Sequence, residues 1–161
     1  MEILNSVFGS SSLIYPLWAT TMVVLSLILI PRDDYQKFFL YGILGATITG
    51  AFLATTINAI KAWKYIDIFP FSFWGISIFV LVAWGASIIL FLWGLPEKFP
   101  TWIHYVYIGI FALIGTIIGN TFHNLGLRPH SQWYKSWMWF PVLYLNFWIN
   151  YKIWMARQKY D

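Results

Sequence analysis

The segment Ile117–His130, IIGNTFHNLGLRPH, holds the densest polar chemistry of an otherwise oily chain. It brings together two carboxamides (Asn120, Asn124), two imidazoles (His123, His130) and one guanidinium (Arg128). Asn120, His123 and Asn124 have i, i+3, i+4 spacing, so a helix puts them on one face. Arg128 and His130 follow Gly126 and flank Pro129, where a helix must stop. Closed over by Ser131 and Gln132, with Trp137 beyond, this set can hold a polar head group or a small polar ligand. The competing reading is a helix end, with Asn capping carbonyls and His resting at an interface.

Other chemistries find less support. His123 and His130 can approach each other across Gly126 and Pro129, but no Cys or acid stands near in sequence to complete a metal site. His104 and His123 lie on one segment, about 28 Å apart as a helix, so one chain cannot offer both to one haem. The six acids, Glu2, Asp33, Asp34, Asp67, Glu97 and Asp161, fall outside or at the ends of the oily segments. A proton relay places a carboxylate inside the membrane. Asp33-Asp34 reads as a helix N-terminal cap, favoured there by the helix dipole. No Ser-His-Asp arrangement is defensible, so no catalytic residues and no cofactor are expected.

The elements that must position these groups follow from composition. Of 161 residues, 60% are hydrophobic and only 10% charged, with 22% aromatic and eleven Trp. A soluble domain of this size keeps too much surface in water to hide that much apolar area. The net charge of +4 comes from basic residues set singly between oily runs, which suits bilayer flanks rather than nucleic acid. With no cysteine, disulfides and thiol chemistry are excluded.

Five segments are long and apolar enough to span a bilayer, at about 11–30, 36–60, 72–94, 101–124 and 133–155. Their apolar runs are continuous, without strict alternation, so the expected fold is all-α: a polytopic integral membrane protein, one domain, built as a five-helix bundle. Residues 1–10 carry Glu2 and no Lys or Arg, so the first segment is expected to be retained, with 1–10 as a short interfacial piece. With the N-terminus outside and the C-terminus inside, Arg32, Lys37, Lys98, Lys152, Arg157 and Lys159 are cytoplasmic. Lys61, Lys64, Arg128 and Lys135 are then external, a six-to-four bias toward the inside.

Two segments carry small-residue stripes. Gly42, Ala46, Gly50, Ala54 and Asn58 recur every four residues, with Gly45 and Thr49 beside them. Gly115, Gly119 and His123 do the same, next to Ala112, Thr116, Asn120 and Asn124. Such stripes let helix backbones approach closely in lipid. The second and fourth spans are expected to pack through them, or the second stripe forms a homo-oligomer seam. Asn146 and Asn150 on the fifth span are expected to face the same interior. Trp133, Trp137 and Phe140 share a helical face of the fifth span, with Tyr144 next on it. They form either an aromatic wall for a lipid-like ligand or an interfacial belt, mirrored by Trp148, Tyr151 and Trp154. Pro141 is expected to kink that helix.

Ile30-Pro31-Arg32 closing the first span, Phe69-Pro70 before the third, and the run Trp133–Trp139 leading into the last together resemble a loose group of five-span membrane proteins from spore-forming Gram-positive bacteria. The resemblance implies the architecture and carries no activity to any residue. Three functions remain: binding a lipid-like or amphipathic molecule between helices, serving as accessory subunit of a larger membrane complex, or forming a small oligomeric channel or transporter.

Overall fold

The structure, a computed structural model, describes residues 13–66, 68, 72–96 and 98–158. The interfacial piece expected at 1–10, together with Phe69 and Pro70, lies outside them. The described chain is mostly helical: α1 (Ile14–Leu29), α2 (Arg32–Asn58), α3 (Ile78–Trp93), α4 (Thr101–Asn124) and α5 (Trp139–Arg157). Of these, α2 and α4 are long and apolar enough to cross a membrane, whereas α1 and α3 are shorter apolar helices.

The helix ends follow local chemistry. Pro31 forces Ile30 into an extended conformation and stops α1. Asp33 and Asp34 sit in the first turn of α2 and make no side-chain cap, so they act through the helix dipole. The third segment starts later than expected. Ser72–Phe73 and Ile76–Ser77 form a small antiparallel hairpin instead of helix. Its two turn residues, Trp74 and Gly75, both have positive φ (50° and 78°), the geometry of a tight two-residue turn.

The fifth helix also starts later, because residues 133–138 are loop and a 3-10 turn (Ser136–Met138). Trp133 therefore does not share a helical face with Trp137 and Phe140. Pro141 falls in the first turn of α5, where its missing N–H would have had no intrahelical partner, so the expected kink has no cause there.

α3 is the central helix. Residues Ala83 to Ile89 are buried without a break, as suits a helix apolar on all sides. Its one polar side chain there, Ser87, returns its hydroxyl to Ala83 O at 2.8 Å. α1 and α2 pack on α3, and α4 pairs with α5.

The small stripe of α2 meets α3, not α4 as the sequence suggested. A Cβ on Gly42 would stand 3.2 Å from Gly85 O and closer still to Ile89. A Cβ on Gly45 would meet Ile88 at 2.7 Å and Asn150 Oδ1 at 2.8 Å. Spacing marks a face as close-packing, but α2 and α3 are neighbours in sequence, and neighbours in sequence usually pair. Gly115 of α4 makes room for Leu143 of α5 and Trp84 of α3. Asn146 Nδ2 donates to Thr49 Oγ1 at 2.9 Å and so ties α5 to α2, while Asn150 Nδ2 donates to Asn146 O at 2.8 Å within α5. Asn58 bonds out of the stripe to Trp74 O at 3.2 Å, joining α2 to the hairpin. Ala54 is buried in the core beside it.

A candidate binding site where two loops pair

The polar segment of α4 ends on a Schellman motif. Gly126 adopts φ +74°, Gly126 N–H donates to His123 O, and Leu127 N–H reaches back to Phe122 O at 2.9 Å. Glycine is required because an L side chain resists that φ. The chain then runs antiparallel to the connection that follows α2. Ile66 N–H donates to Leu127 O (3.0 Å), Lys64 N–H to Pro129 O (3.3 Å) and Ser131 N–H to Ala62 O (2.8 Å). Trp63 and His130 form the bridge at the middle of this pairing. Tyr15 of α1 shares its hydroxyl between Ile66 O and Leu127 O, which pins both strands from below.

Arg128 lies inside this cap, 3% exposed. Its guanidinium carbon stands 4.1 Å from the Trp63 ring centre and 5.4 Å from that of Trp139. A cation over an indole face gains electrostatic attraction, most of all when desolvated. Gly119 makes the space: a Cβ there would collide with Arg128 Nη1. Burial lowers the proton affinity of Arg128, yet a guanidinium stays charged in proteins. The Tyr134 hydroxyl lies close enough to the guanidinium to interact with it. Burial also pushes the Tyr65 hydroxyl pKa up.

His123 and His130 stack face to face, 3.9 Å between centres and 6° between planes. His123 Nδ1 carries its proton toward Arg128 O at 3.2 Å. His130 is pushed down to about 4, by burial first and then by the charge of Arg128 and the neighbouring His123. It is therefore neutral at pH 7. Beside Trp63 and His130 opens a depression of about 320 Å³ whose lining includes Lys61, Lys64 and Ser131. Ser131 Oγ donates to Lys61 O and fixes that rim.

The other residues nominated by the sequence lie apart from this cap interior. Asn120 is exposed and accepts a hydrogen bond from Ser136 Oγ at 2.9 Å, fastening α4 to the turn before α5. Asn124 is exposed at the end of α4. Trp137 is 66% exposed and projects outward, because the turn that carries it is not part of α5. Trp63, Tyr65, Tyr134 and Tyr15 were not anticipated. The available signal was Lys61-Ala62-Trp63-Lys64, a tryptophan between two cations in a short connection.

A second concave feature runs along α2 and α3. It is an apolar groove of about 600 Å³, floored by Gly42, Ala46, Gly50 and Gly85. Tyr35 and Phe39 stand at one end, Phe73 and Trp74 at the other. Near the opposite end of the bundle, His104 is buried and held by Tyr151 Oη and Pro96 O, each at 3.0 Å. Because a carbonyl can only accept, Nε2 carries the proton and Nδ1 accepts from Tyr151. His104 and His123 are thus separate, as their spacing along α4 requires. Compared with family models, curated proteins and solved structures, the chain finds no match in any of the three.

Proposed function

We propose that the chain is a five-span integral protein of the cell membrane, N-terminus outside, that holds one lipid-like chain in the groove between α2 and α3 without catalysing a reaction. The groove carries this reading. Its floor is made of glycine and alanine, so a slender apolar chain can lie against the helix backbones. From Tyr35 to Ala51 it follows about 24 Å of α2, most of the roughly 30 Å hydrocarbon thickness of a bilayer. Phe39, Ile43 and Val82 on its edges are exposed, which suits lipid rather than water.

The outer surface supports the membrane part of the reading. Leu17, Ile28, Leu40 and Ile117, on α1, α2 and α4, are each more than half exposed. At about 24 Å each, α1 and α3 are short, a mismatch that bilayers accommodate by local thinning. The charges also sort by end. Lys61, Lys64 and Arg128 share the paired loops, while Asp34, Lys37 and Lys98 line one depression at the start of α2.

Native mass spectrometry of the protein released from mild detergent or nanodiscs tests the proposal. Thr47 lines the groove and bonds only to Ile43 O of its own helix, so Thr47→Trp fills the groove without breaking a tertiary contact. Wild type should retain a lipid adduct that the variant loses. Equal retention by both, or none in wild type, overturns the reading.

A further inference from the structure

We infer that the Trp63–Arg128–His130–Tyr134 cluster is a binding site for a small oxyanion, a phosphate or carboxylate group. Two independent observations lead there. The first is a cluster of side chains with unmet polar atoms, two of which, Trp63 and His130, also line the adjoining depression. Six buried side-chain polar atoms lack a hydrogen-bond partner among the described residues, and four of them are Trp63 Nε1, Arg128 Nε, His130 Nε2 and Tyr134 Oη. Their side chains touch: ring centres of Trp63 and Tyr134 are 5.0 Å apart, His130 and Tyr134 4.9 Å, and Arg128 packs on Trp63. Native interiors rarely leave such groups unpaired, and several in one place call for a shared partner. Trp63, Arg128 and Tyr134 all present N–H or O–H donors, so that partner is an acceptor.

The second observation is charge. Arg128 is buried with no ion pair among the described residues. The only carboxylates among those residues, Asp33 and Asp34, begin α2, about 40 Å along that helix from the paired loops. Lys61 and Lys64, both exposed, add positive charge at the rim of the adjoining depression. Water can meet donors but cannot balance a buried cation, whereas an oxyanion does both. Arg is suited to it, because its planar fork matches the oxygens of phosphate and carboxylate. The site is separate from the groove and stands whether or not the groove holds a chain.

Anion binding is read by thermal unfolding and by tryptophan emission of the full chain, since Trp63 and Trp139 flank the guanidinium. The probes are inorganic phosphate added to protein in phosphatidylcholine nanodiscs, and nanodiscs containing phosphatidylglycerol. A saturable response to phosphate identifies a free anion as ligand. A response to phosphatidylglycerol alone identifies a lipid head group. Either supports the site if Arg128→Gln abolishes it. Should Arg128→Gln fail to fold, Lys61→Ala/Lys64→Ala, confined to the exposed rim, should weaken the response about three- to tenfold. Thr47→Trp should leave it unchanged. No response in wild type, or one that survives both the Arg128 and the double-lysine variants, overturns the inference and leaves Arg128 as a structural cation between two indoles. Asp67→Asn is made alongside, because Asp67 lies outside the described residues. If that change itself creates the anion response, Asp67 is the counter-ion and the inference fails.

Discussion

Gly45 and Gly50 are two glycines of the same helix stripe, and the structure assigns them opposite fates on replacement by alanine. In a helix interior Ala is favoured over Gly by about 1 kcal/mol. At Gly50 the new methyl meets only Leu81 Cδ2, at 3.2 Å, the tip of a flexible side chain beside the groove. That tip moves readily, so Gly50→Ala should leave stability unchanged or raise it by up to about 1 kcal/mol. At Gly45 the methyl lands 2.7 Å from Ile88 Cγ2 and 2.8 Å from Asn150 Oδ1. Ile88 is fully buried and Asn150 is 3% exposed, so neither can swing into a solvent-facing gap. Overpacking of this kind costs about 1–3 kcal/mol, and displacing Asn150 from Asn146 O adds about 1 kcal/mol. Set against the propensity gain, Gly45→Ala should destabilise by about 1–3 kcal/mol, or roughly 2–12 °C in midpoint for a chain of this size. Thermal unfolding of both variants in one detergent, followed by tryptophan emission, gives the comparison. Equal midpoints, or a stabilised Gly45→Ala, would show that this face of α2 does not abut α3 and α5.

Acid should weaken the paired loops. His130 is held near 4 in the folded chain against 6.5 when unfolded. Between those values only the unfolded state takes the proton, so stability falls as pH drops through that window and is flat above it. With solvent on one side of the ring the loss at pH 5 is about 1 kcal/mol, and His130→Gln should shrink it; an unchanged pH profile in that variant would place the titration elsewhere. The two tryptophans near the cap should separate cleanly. Trp63→Ala removes a buried ring that supports Arg128, Tyr134 and Trp139 and should cost about 3–5 kcal/mol, whereas Trp137→Ala, on an exposed ring, should stay within about 0.5 kcal/mol. Comparable losses would contradict the outward placement of Trp137.

The periodic parts of the sequence were legible because helix periodicity is a local property. Each of the five oily segments contains one helix, and the small faces at Gly42–Ala54 and Gly115–Gly119 do lie at close contacts. Which helix receives each face was not legible. A stripe says that a backbone comes near and does not say whose. The polar segment 120–130 stood out in the sequence, and in the structure His123 does reach His130. Its real surroundings come from Trp63 and Tyr65, more than sixty positions earlier, and from Tyr15 at the start of α1. Nothing in local spacing announces such pairings. Trp137 was misplaced for a simpler reason, since treating 133–138 as helix rotated it onto a face that does not exist. Its run of aromatic residues hid a loop, because aromatic side chains are as acceptable in an interfacial turn as in a span.

The hydroxyl of Tyr15 has a consequence in time. Its two acceptors belong to residues 51 and 112 positions further along the chain. At synthesis rates of about 5–20 residues per second, α1 waits roughly 6–22 s before Leu127 exists to receive it. The cap of paired loops is thus among the last parts to be completed, after four of the five helices have been made. Until then the first helix is held only by its neighbours, and the loop 62–66 has no strand to pair with. Closure of the cap is therefore late, and a chain that stops before Leu127 lacks the strand that pairs with residues 62–66 and the second acceptor of Tyr15.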